Sequence, residues 1–517
     1  MPRIFVRLAL ETGFATSLFL PGFILGWGIY PPFRYTIILA MVVIVYLLVT
    51  KLIPKTLAGL LTIPVIALQI ANIAAYSLFG IPFEYGALQV IINTDIAEAK
   101  EFFLTFNPLY WPALILPLLI WLAGLWWYLK SPLRFTGWRT KLSGAVMLAL
   151  ALPVLDHFHK PKYDIYSYIQ VWRLAFRYSR WERQIDQSAA RRAALFSHSN
   201  IFHKAALSPG NLDDIVVVVI GESLRRGHLG LYGYERNTTP ELGKIRNRLI
   251  IFKRAISPAN NTVNSIPLML TPLTVTNRAN MNETPSLAAR ARFSGYHTTW
   301  VSNTNLLGHH SSRITILARD SNALITTRPE GRIAAYYLHD EALLPYLDDL
   351  IRKSERKKQF IFLATRGSHA IYRKRYPERF GRFQPVIKGL SGYRPQLRQK
   401  IINAYDNSIL YTDWLIAKFI ARLKATGKPA TLIYFSDHGE RLFDDGKTIA
   451  HGGKPPVKIE YKVPFFIWRS KQRNCTSNLD AVTDKPVNMQ YFYEIASFAT
   501  CMSYRLPENL YSPKVFA

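Results

Sequence analysis

Two carboxylates and a histidine closely follow apolar runs that have the pattern of buried strands. Glu222 comes after the β-branched run 215–220, and Asp437 and His438 follow the run 431–435. Such runs are typical of strands buried on both faces of a parallel sheet, and ligands of open α/β folds lie beyond their carboxyl ends. Taken alone, Glu222 is more typical of a helix N-cap. Adjacent oxygen and nitrogen ligands suit zinc, with manganese as the alternative.

A further polar cluster follows the same pattern. The apolar run 360–364 is followed closely by Gly367, Ser368 and His369, and His451 lies in the loop region after the Asp437 strand. Three polar clusters at strand ends are hard to explain as packing. We therefore expect them to meet at one edge of a sheet and to form a metal site.

A polar segment before an apolar helical pattern is the candidate for a nucleophile. Residues 260–268 read Asn-Asn-Thr-Val-Asn-Ser-Ile-Pro-Leu, and the backbone N–H groups at a helix start can hold a phosphate. Spacing alone leaves three interpretations open: Thr262 as nucleophile, Ser265 as nucleophile, or a helix cap without a catalytic role.

The N-terminal third has a different character from the part that carries these motifs. Five apolar runs, 8–30, 35–52, 56–79, 109–129 and 142–155, are long or apolar enough to cross a bilayer, which takes about 20 residues of helix. Buried core helices are the alternative, which five runs with little amphipathic pattern disfavour. The first run is not a cleaved signal peptide, because it is long and further spans follow it.

The loops between these runs predict their orientation. Lys and Arg flanking membrane spans tend to stay cytoplasmic. The basic residues before the first run, in the turn between the second and third runs and in the turn between the fourth and fifth runs lie on one side, whereas residues 80–107 carry four acidic residues against Lys100. An odd number of spans then places the rest of the chain outside the cytoplasm. We expect a transmembrane domain at 1–158, a basic aromatic interfacial linker at 159–210 and an extracytoplasmic catalytic domain at 211–517. The alternative for the linker is an amphipathic helix packed on the catalytic domain.

The formal net charge of +30 is compatible with nucleic acid, anionic lipid or an acidic substrate as partner. The predicted topology excludes nucleic acid and leaves membrane lipids and an acidic substrate; solubility is the other explanation of the charge. The two cysteines, Cys475 and Cys501, would lie in an oxidising compartment and could form a bridge. The sequence leaves their pairing open.

Motifs spread over residues 211–470 match one family in order and spacing. They are Val-Ile-Gly-Glu-Ser at 219–223, Leu-Tyr-Gly-Tyr at 231–234, Asn-Thr-Thr-Pro at 237–240, Thr-Val-Asn-Ser-Ile-Pro at 262–267, Gly-Ser-His at 367–369, Tyr-Pro at 376–377, Ala-Tyr-Asp-Asn at 404–407, Tyr-Phe-Ser-Asp-His-Gly-Glu at 434–440 and His-Gly at 451–452. With the five preceding spans, the chain resembles the lipopolysaccharide phosphoethanolamine transferases, a branch of the alkaline phosphatase and sulfatase superfamily.

The resemblance implies a sulfatase-like α/β domain whose zinc ligands are Glu222, Thr262, Asp437 and His438. It makes Thr262 the nucleophile as well. Thr262 would attack the phosphorus of phosphatidylethanolamine and expel diacylglycerol, and the phospho-threonine would pass its group to lipopolysaccharide.

The same resemblance gives the remaining expectations. His369 and His451 would contact the phosphate, protonate a leaving oxygen or help to bind a transient second metal, and the sequence does not separate these roles. Asn303 and Asn305 are candidates for binding the donor headgroup. The protein would be a multi-pass protein of the bacterial inner membrane with its catalytic domain in the periplasm, and we expect a monomer.

One departure from the family pattern bears on the acceptor. Lipid A-modifying members have a cysteine beside the nucleophile motif and several disulfides, whereas this chain has Asn260 and Asn261 there. It is more similar to the cysteine-poor members that modify core heptose, so core heptose is the first candidate acceptor and lipid A the second. The alternatives are a phosphoglycerol transferase of the lipoteichoic-acid-synthase type, a hydrolase and a non-catalytic membrane scaffold. The Gly-Glu-Ser and Ser-Ile-Pro motifs argue against the first of these.

Overall fold

A computed structural model describes most of the C-terminal two thirds of the chain and several N-terminal helices. The described residues are 9–18, 32–79, 111–130, 187–196 and those from 212 to 502, without 277–280, 305–312, 328–337, 356, 387–394, 447, 453–455, 472–478 and 480–481. They divide into two compact units, the first with the described residues up to 130 and the second with those from 187.

The first unit is helical. Its helices are α1 (Pro32–Leu52), α2 (Lys55–Phe79) and α3 (Trp111–Lys130), and residues 9–18 are helical as well. Phe14 and Trp121 lie in their shared apolar core. Other large apolar side chains of α2 and α3 are exposed on the outside of the unit, among them Leu60, Ile63, Leu116 and Trp126.

The predicted membrane spans can be compared with this unit only in part. None of the helices in the described part of the chain combines the length and the apolar character needed to cross a membrane. Residues 19–31 and the predicted span 142–155 lie outside the described residues, as does the loop 80–107. The five spans and the domain boundaries drawn from them stay a prediction.

The second unit is built on a mixed β-sheet. Its strands are β1 (Ile215–Gly221), β2 (Leu249–Ile251), β3 (Arg254–Ile256), β4 (His297–Ser302), β5 (Ala323–Thr326), β6 (Gln359–Ala364), β7 (Ala430–Ser436), β8 (Arg441–Leu442), β9 (Ile449–Ala450), β10 (Phe465–Arg469) and β11 (Pro486–Asn488). Seven of them form one sheet in the order β2-β10-β7-β1-β6-β4-β5, in which β7, β1, β6, β4 and β5 run parallel. The three strands predicted from apolar runs are therefore confirmed as β1, β6 and β7, at the centre of the sheet.

Helices cover both faces of this sheet. They are α4 (Pro240–Lys244), α5 (Thr262–Met269), α6 (Leu287–Phe293), α7 (Arg313–Ala318), α8 (Leu344–Lys353), α9 (Arg398–Ala425) and α10 (Phe492–Ala499). Because side chains alternate along a strand, Val216 and Val218 pack with residues of α6 and α10, whereas Val217 and Val219 pack with residues of α8 and α9. This three-layer arrangement explains why β1 is apolar without interruption.

The parallel strands end in register. Gly221 of β1 pairs with Ser436 of β7, and Ile220 pairs with Ala364 of β6. The residues that come next along the three strands therefore share one edge of the sheet, where the sequence predicts the site.

A short helix from the predicted linker packs on the second unit. Within residues 187–196, the buried Arg192 donates from Nε to Asp320 Oδ1 over 3.0 Å and also contacts the backbone oxygen of Thr284. This part of the linker therefore contains a helix that packs on the second unit, and the interfacial role of the linker stays a prediction. The remainder of 159–210 lies outside the described residues.

The structure describes one of the two cysteines. Cys501 is disulfide-bonded, and the only other cysteine of the chain is Cys475, which lies outside the described residues.

A buried aromatic pair tests the core. Phe362 of β6 stacks on Trp300 of β4, with ring centroids 4.9 Å apart. Phe362→Ala leaves a cavity beside Trp300 and should lower the free energy of unfolding by about 3–5 kcal/mol. Phe293→Ala, the same deletion at a position that is 38% exposed, should cost less than about 1 kcal/mol. Denaturant titration followed by circular dichroism measures both losses, and equal losses would contradict the assigned core.

Candidate active site

Glu222 is placed by a constrained turn at the end of β1. Ser223, which follows it, has a left-handed backbone with φ of 57°. Its N–H donates to Asp437 Oδ1 over 3.1 Å, and its hydroxyl donates to Glu222 Oε1 over 2.7 Å. The turn therefore holds the Glu222 carboxylate beside the end of β7.

The two carboxylate oxygens of Asp437 have different surroundings. Its Oδ1 accepts hydrogen bonds from the backbone N–H groups of Ser223 and His438, over 3.1 and 2.8 Å. Its Oδ2 is buried and accepts no hydrogen bond from any described residue. A buried carboxylate oxygen without a donor is costly unless a cation neutralises it.

His438 presents its Nε2 atom to the same point. Its Nδ1 lies 2.9 Å from the backbone oxygen of Gly439. Because a carbonyl oxygen can only accept, Nδ1 carries a proton, and Nε2 is the atom available as a ligand. A hydrogen bond of this kind fixes both the tautomer and the ring orientation of a metal-binding histidine.

The nucleophile candidates have different surroundings in the structure. Thr262 is the first residue of α5, and the N-cap is Asn261, whose side chain accepts from the N–H of Asn264. Ser265 is buried and donates to the backbone oxygen of Ala259. The Thr262 hydroxyl instead donates to Glu222 Oε2 over 3.0 Å and lies 3.2 Å from His438 Nε2.

These four side chains, Glu222, Thr262, Asp437 and His438, are called the metal cluster below. His438 Nε2 lies 3.3 Å from Glu222 Oε1 and 3.3 Å from Asp437 Oδ2. Ligand atoms of Glu222, Asp437 and His438 all lie within 4.8 Å of one another. Two carboxylates, an imidazole and a hydroxyl that converge in this way fit a divalent metal ion, and they are the four residues that the sequence predicts.

The charges of the cluster compensate one another. Burial raises the pKa of Asp437, and the nearby Glu222 raises it further. Burial also raises the pKa of Glu222, but the hydrogen bond and the charge of His438 outweigh it and lower that pKa. Burial lowers the pKa of His438, but Asp437 and Glu222 outweigh it and raise that pKa to about 10. The site thus favours a positive charge among its carboxylates, which a metal ion supplies more strongly than a proton.

Two histidines flank the cluster. The ring centroids of His451 and His438 lie 4.0 Å apart, and those of His451 and His369 lie 5.8 Å apart. Ligand atoms of His369 and His451 also come within 4.8 Å of a carboxylate oxygen of Glu222. Both predicted histidines therefore lie at the site.

Glu440 is a residue at the site that the sequence interpretation did not single out. Its Oε2 lies 2.6 Å from His451 Nδ1, and its Oε1 accepts from the Tyr372 hydroxyl over 2.7 Å. The antiparallel pair β8–β9 aligns Arg441 with Ala450, so the residues just outside this pair, Glu440 and His451, face each other. The acidic residue after the Asp-His pair is the signal for it in the sequence, but its partner depends on the hairpin.

Tyr405 is a second such residue. Its hydroxyl donates to the backbone oxygen of Ser223 over 2.7 Å and accepts from the N–H of Arg225 over 2.8 Å. It braces the turn that carries Glu222 from α9. The sequence marks it only as part of the motif at 404–407.

The two asparagines predicted for substrate binding have different outcomes. Asn303 is fully buried, and its side chain bonds to Leu338, Asp340 and Thr327. These contacts use its amide inside the fold, so the position of Asn303 does not support a contact with the donor headgroup. That role stays a prediction. Asn305 lies outside the described residues.

The fold and the site together define an α/β enzyme with a candidate metal site and a threonine hydroxyl at the carboxyl edge of its sheet. The chain belongs to the sulfatase family, which matches residues 214–499.

Among curated relatives, the chain is similar to the phosphoethanolamine transferase EptC of Escherichia coli strain RS218, with 26% identity over 449 residues that cover 83% of this chain and 77% of that protein. Among solved structures, it is similar to the C-terminal periplasmic domain of E. coli EptC in complex with zinc. That match has 27% identity and a TM-score of 0.50, and it covers 57% of this chain and 84% of that one.

A second solved structure matches over almost the whole length. It is the integral membrane protein lipooligosaccharide phosphoethanolamine transferase A from Neisseria meningitidis, with 20% identity, a TM-score of 0.66 and 95% of both chains covered. At this identity the likeness is one of fold.

The approach of Gly367 to Glu222 gives a test of the site. A Cβ atom at Gly367 would lie 2.6 Å from the backbone oxygen of Glu222 and 2.9 Å from its nitrogen, and φ at Gly367 is +51°. Gly367→Ala should therefore displace Glu222 and lower the affinity for the metal by at least about tenfold. Inductively coupled plasma mass spectrometry should show this as a lower metal content of the purified variant. Gly427→Ala is the matched control, because φ there is +65° and nothing lies within 4 Å of the added atom. Equal metal content in the two variants would show that this close contact does not position Glu222.

Proposed function

We propose that the protein transfers phosphoethanolamine from phosphatidylethanolamine to a lipopolysaccharide acceptor, with Thr262 as nucleophile and zinc as cofactor. The observation that carries the proposal is the convergence of the Thr262 hydroxyl with Glu222 and His438, at distances of 3.0 and 3.2 Å. The likeness to phosphoethanolamine transferases over 83% of the chain supports the reaction class.

Zinc is the proposed ion because of the donor set and its spacing. Ligands at about 2.0–2.1 Å from a tetrahedral zinc ion lie about 3.3 Å from one another. The contacts within the metal cluster are 3.0, 3.2, 3.3 and 3.3 Å long. Carboxylate oxygens and an imidazole nitrogen are also among the ligands that zinc binds. The similar E. coli domain is a zinc complex.

The proposed reaction has two steps, and Thr262 takes part in both. Its oxygen forms a bond to phosphorus, the bond from phosphorus to the glycerol oxygen breaks, and diacylglycerol leaves with a proton on that oxygen. An acceptor hydroxyl then attacks the same phosphorus, and Thr262 recovers its hydroxyl. A bound zinc ion would supply Lewis-acid activation of the hydroxyl and neutralise negative charge on the phosphoryl group.

His451 is the proposed proton donor and acceptor. Its contact with Glu440 holds the Nδ1 proton, so Nε2 is the atom free to exchange a proton with a leaving or attacking oxygen. The arrangement of carboxylate, imidazole and reacting oxygen is that of other enzymes in which a carboxylate orients a catalytic histidine. His369, on the other side of His451, is proposed to contact the phosphoryl oxygens.

The N-terminal unit is proposed to anchor the enzyme in the inner membrane, with the second unit in the periplasm. Support comes from the apolar runs of the sequence, from the exposed apolar side chains of α2 and α3, and from the fold likeness to an integral membrane transferase. A site held at the membrane meets its lipid donor at a high effective concentration. For the acceptor we favour core heptose, since Asn260 and Asn261 replace the cysteine expected beside the nucleophile in lipid A-modifying relatives.

Mass spectrometry of envelope glycolipids tests this function. Cells with the wild-type protein should carry a phosphoethanolamine-sized mass on core sugar, and Thr262→Ala should reduce it at least about 10³-fold because the covalent step is lost. Thr262→Ser keeps a hydroxyl and should retain part of the activity. Unchanged modification by Thr262→Ala would refute the mechanism. A phosphoethanolamine-sized mass on lipid A would instead show that lipid A, and not core heptose, is the acceptor.

Metal analysis of the purified protein tests the cofactor. We expect about one tightly bound zinc ion for each chain, and its loss in Asp437→Asn, because the substitution removes the charge of the orphaned oxygen. Asp413→Asn changes a buried carboxylate that bonds to the N–H groups of Glu241 and Leu242, remote from the cluster, and should keep its zinc. Folded wild-type protein without zinc, or with another metal, would argue against this assignment.

A further inference from the structure

The loop after β6 lies directly against the metal cluster. Residues 365–369 of this loop, called the His369 loop here, contact the backbone of Glu222: the N–H of Ser368 donates to its oxygen over 2.9 Å. Gly367 approaches it so closely that a Cβ atom would not fit. The position of His369 therefore depends on what holds the backbone just before it.

A buried carboxylate holds that backbone. Asp340 accepts the N–H of Arg366 at Oδ1 over 2.8 Å and the N–H of Gly367 at Oδ2 over 2.9 Å. Burial raises the pKa of Asp340, whereas these hydrogen bonds stabilise its charged form. Two consecutive N–H groups bound by one carboxylate fix the direction of the chain as it enters the His369 loop.

Asn303 in turn orients Asp340. Its Nδ2 donates to Asp340 Oδ1 over 2.8 Å and to the backbone oxygen of Leu338 over 3.1 Å, and its Oδ1 accepts from the Thr327 hydroxyl over 2.6 Å. Asn303 and Thr327 follow the ends of the neighbouring strands β4 and β5. A chain of hydrogen bonds thus runs from Asn303 at the edge of the sheet through Asp340 to the loop that contacts Glu222.

We propose that Asp340, oriented by Asn303, is a positioning residue that fixes the His369 loop so that His369 faces the phosphoryl group. The proposal rests on the transferase function proposed above. Catalytic contacts depend on placement within a fraction of an ångström, and displacement by about 1 Å can cost 10²-fold in rate. A carboxylate that binds two backbone N–H groups provides this placement without touching the substrate.

Asp413 provides a matched control. It is also a buried carboxylate that accepts two consecutive backbone N–H groups, those of Glu241 and Leu242, over 2.8 and 2.9 Å. It holds the start of α4 and has no contact with the His369 loop among the described residues. Replacing either aspartate by asparagine turns one acceptor into an N–H₂ donor that faces a backbone N–H, so both variants carry the same kind of local damage.

Hydrogen exchange measured by mass spectrometry on the full-length protein tests the placement without any need for activity. Asp340→Asn should speed amide exchange at least about tenfold in peptides that contain Arg366 and Gly367, and Asp413→Asn should do so only in peptides that contain residues 241–242. Unchanged exchange in the His369 loop of Asp340→Asn would overturn the proposal. If Asp340→Asn does not fold, Asn303→Ala, which keeps the carboxylate, replaces it and should show the same localised change.

A double-mutant cycle on the full-length enzyme, with phosphatidylethanolamine as donor, tests the catalytic consequence. Asp340→Asn should lower kcat about 10- to 100-fold, with KM for the donor and zinc content nearly unchanged, whereas Asp413→Asn should leave kcat within about threefold. In a His369→Ala background the effect of Asp340→Asn should shrink to about twofold or less, because both changes remove the same contact. A loss that persists in full in that background, or an equal loss in Asp413→Asn, would overturn the proposal.

Absence of transfer by the wild type would instead refute the proposed function, and the exchange measurement would still decide the placement.

Discussion

The metal cluster depends on the pairing register of two neighbouring parallel strands. β1 and β7 end together, with Gly221 opposite Ser436, so the next residues, Glu222 and Asp437, reach the same point. A slip of one residue would turn every side chain of a strand to the opposite face, and both faces of β1 are buried. The apolar packing that stabilises the fold therefore also sets the distance between the two carboxylates.

Once the carboxylates are adjacent and buried, their charge determines the rest of the site. Two negative groups so close together are costly without a cation. His438 places its Nε2 between them, and Asp437 uses its other oxygen to bind backbone N–H groups, which leaves one oxygen for a metal. Thr262 completes the group from the start of a helix, where the partial positive charge of the backbone favours a phosphate. The proposed metal binding and the proposed nucleophile thus both depend on a single buried negative cluster.

The sequence predicts those parts of the site that depend on local pattern. Apolar runs located the strands, and the polar residues after them predicted which side chains meet, because the carboxyl edge of a parallel sheet is set by chain direction alone. Thr262 could not be separated from Ser265 by spacing, since only the three-dimensional packing of α5 turns Ser265 into the core. Glu440 was missed because its partner is fixed by a hairpin. Asn303 has the strand-end pattern of a site residue, but Thr327 and Asp340 turn its amide inward.

We predict that Thr262 becomes covalently modified beside the metal. Incubation of the full-length enzyme with phosphatidylethanolamine in the absence of acceptor, followed by acid quench and peptide mass spectrometry, measures this directly. We expect a phosphoethanolamine group on Thr262 that is lost in Thr262→Ala and after chelation of the metal. A modified Ser265, or an enzyme that transfers phosphoethanolamine without any modified Thr262 under these conditions, would contradict it.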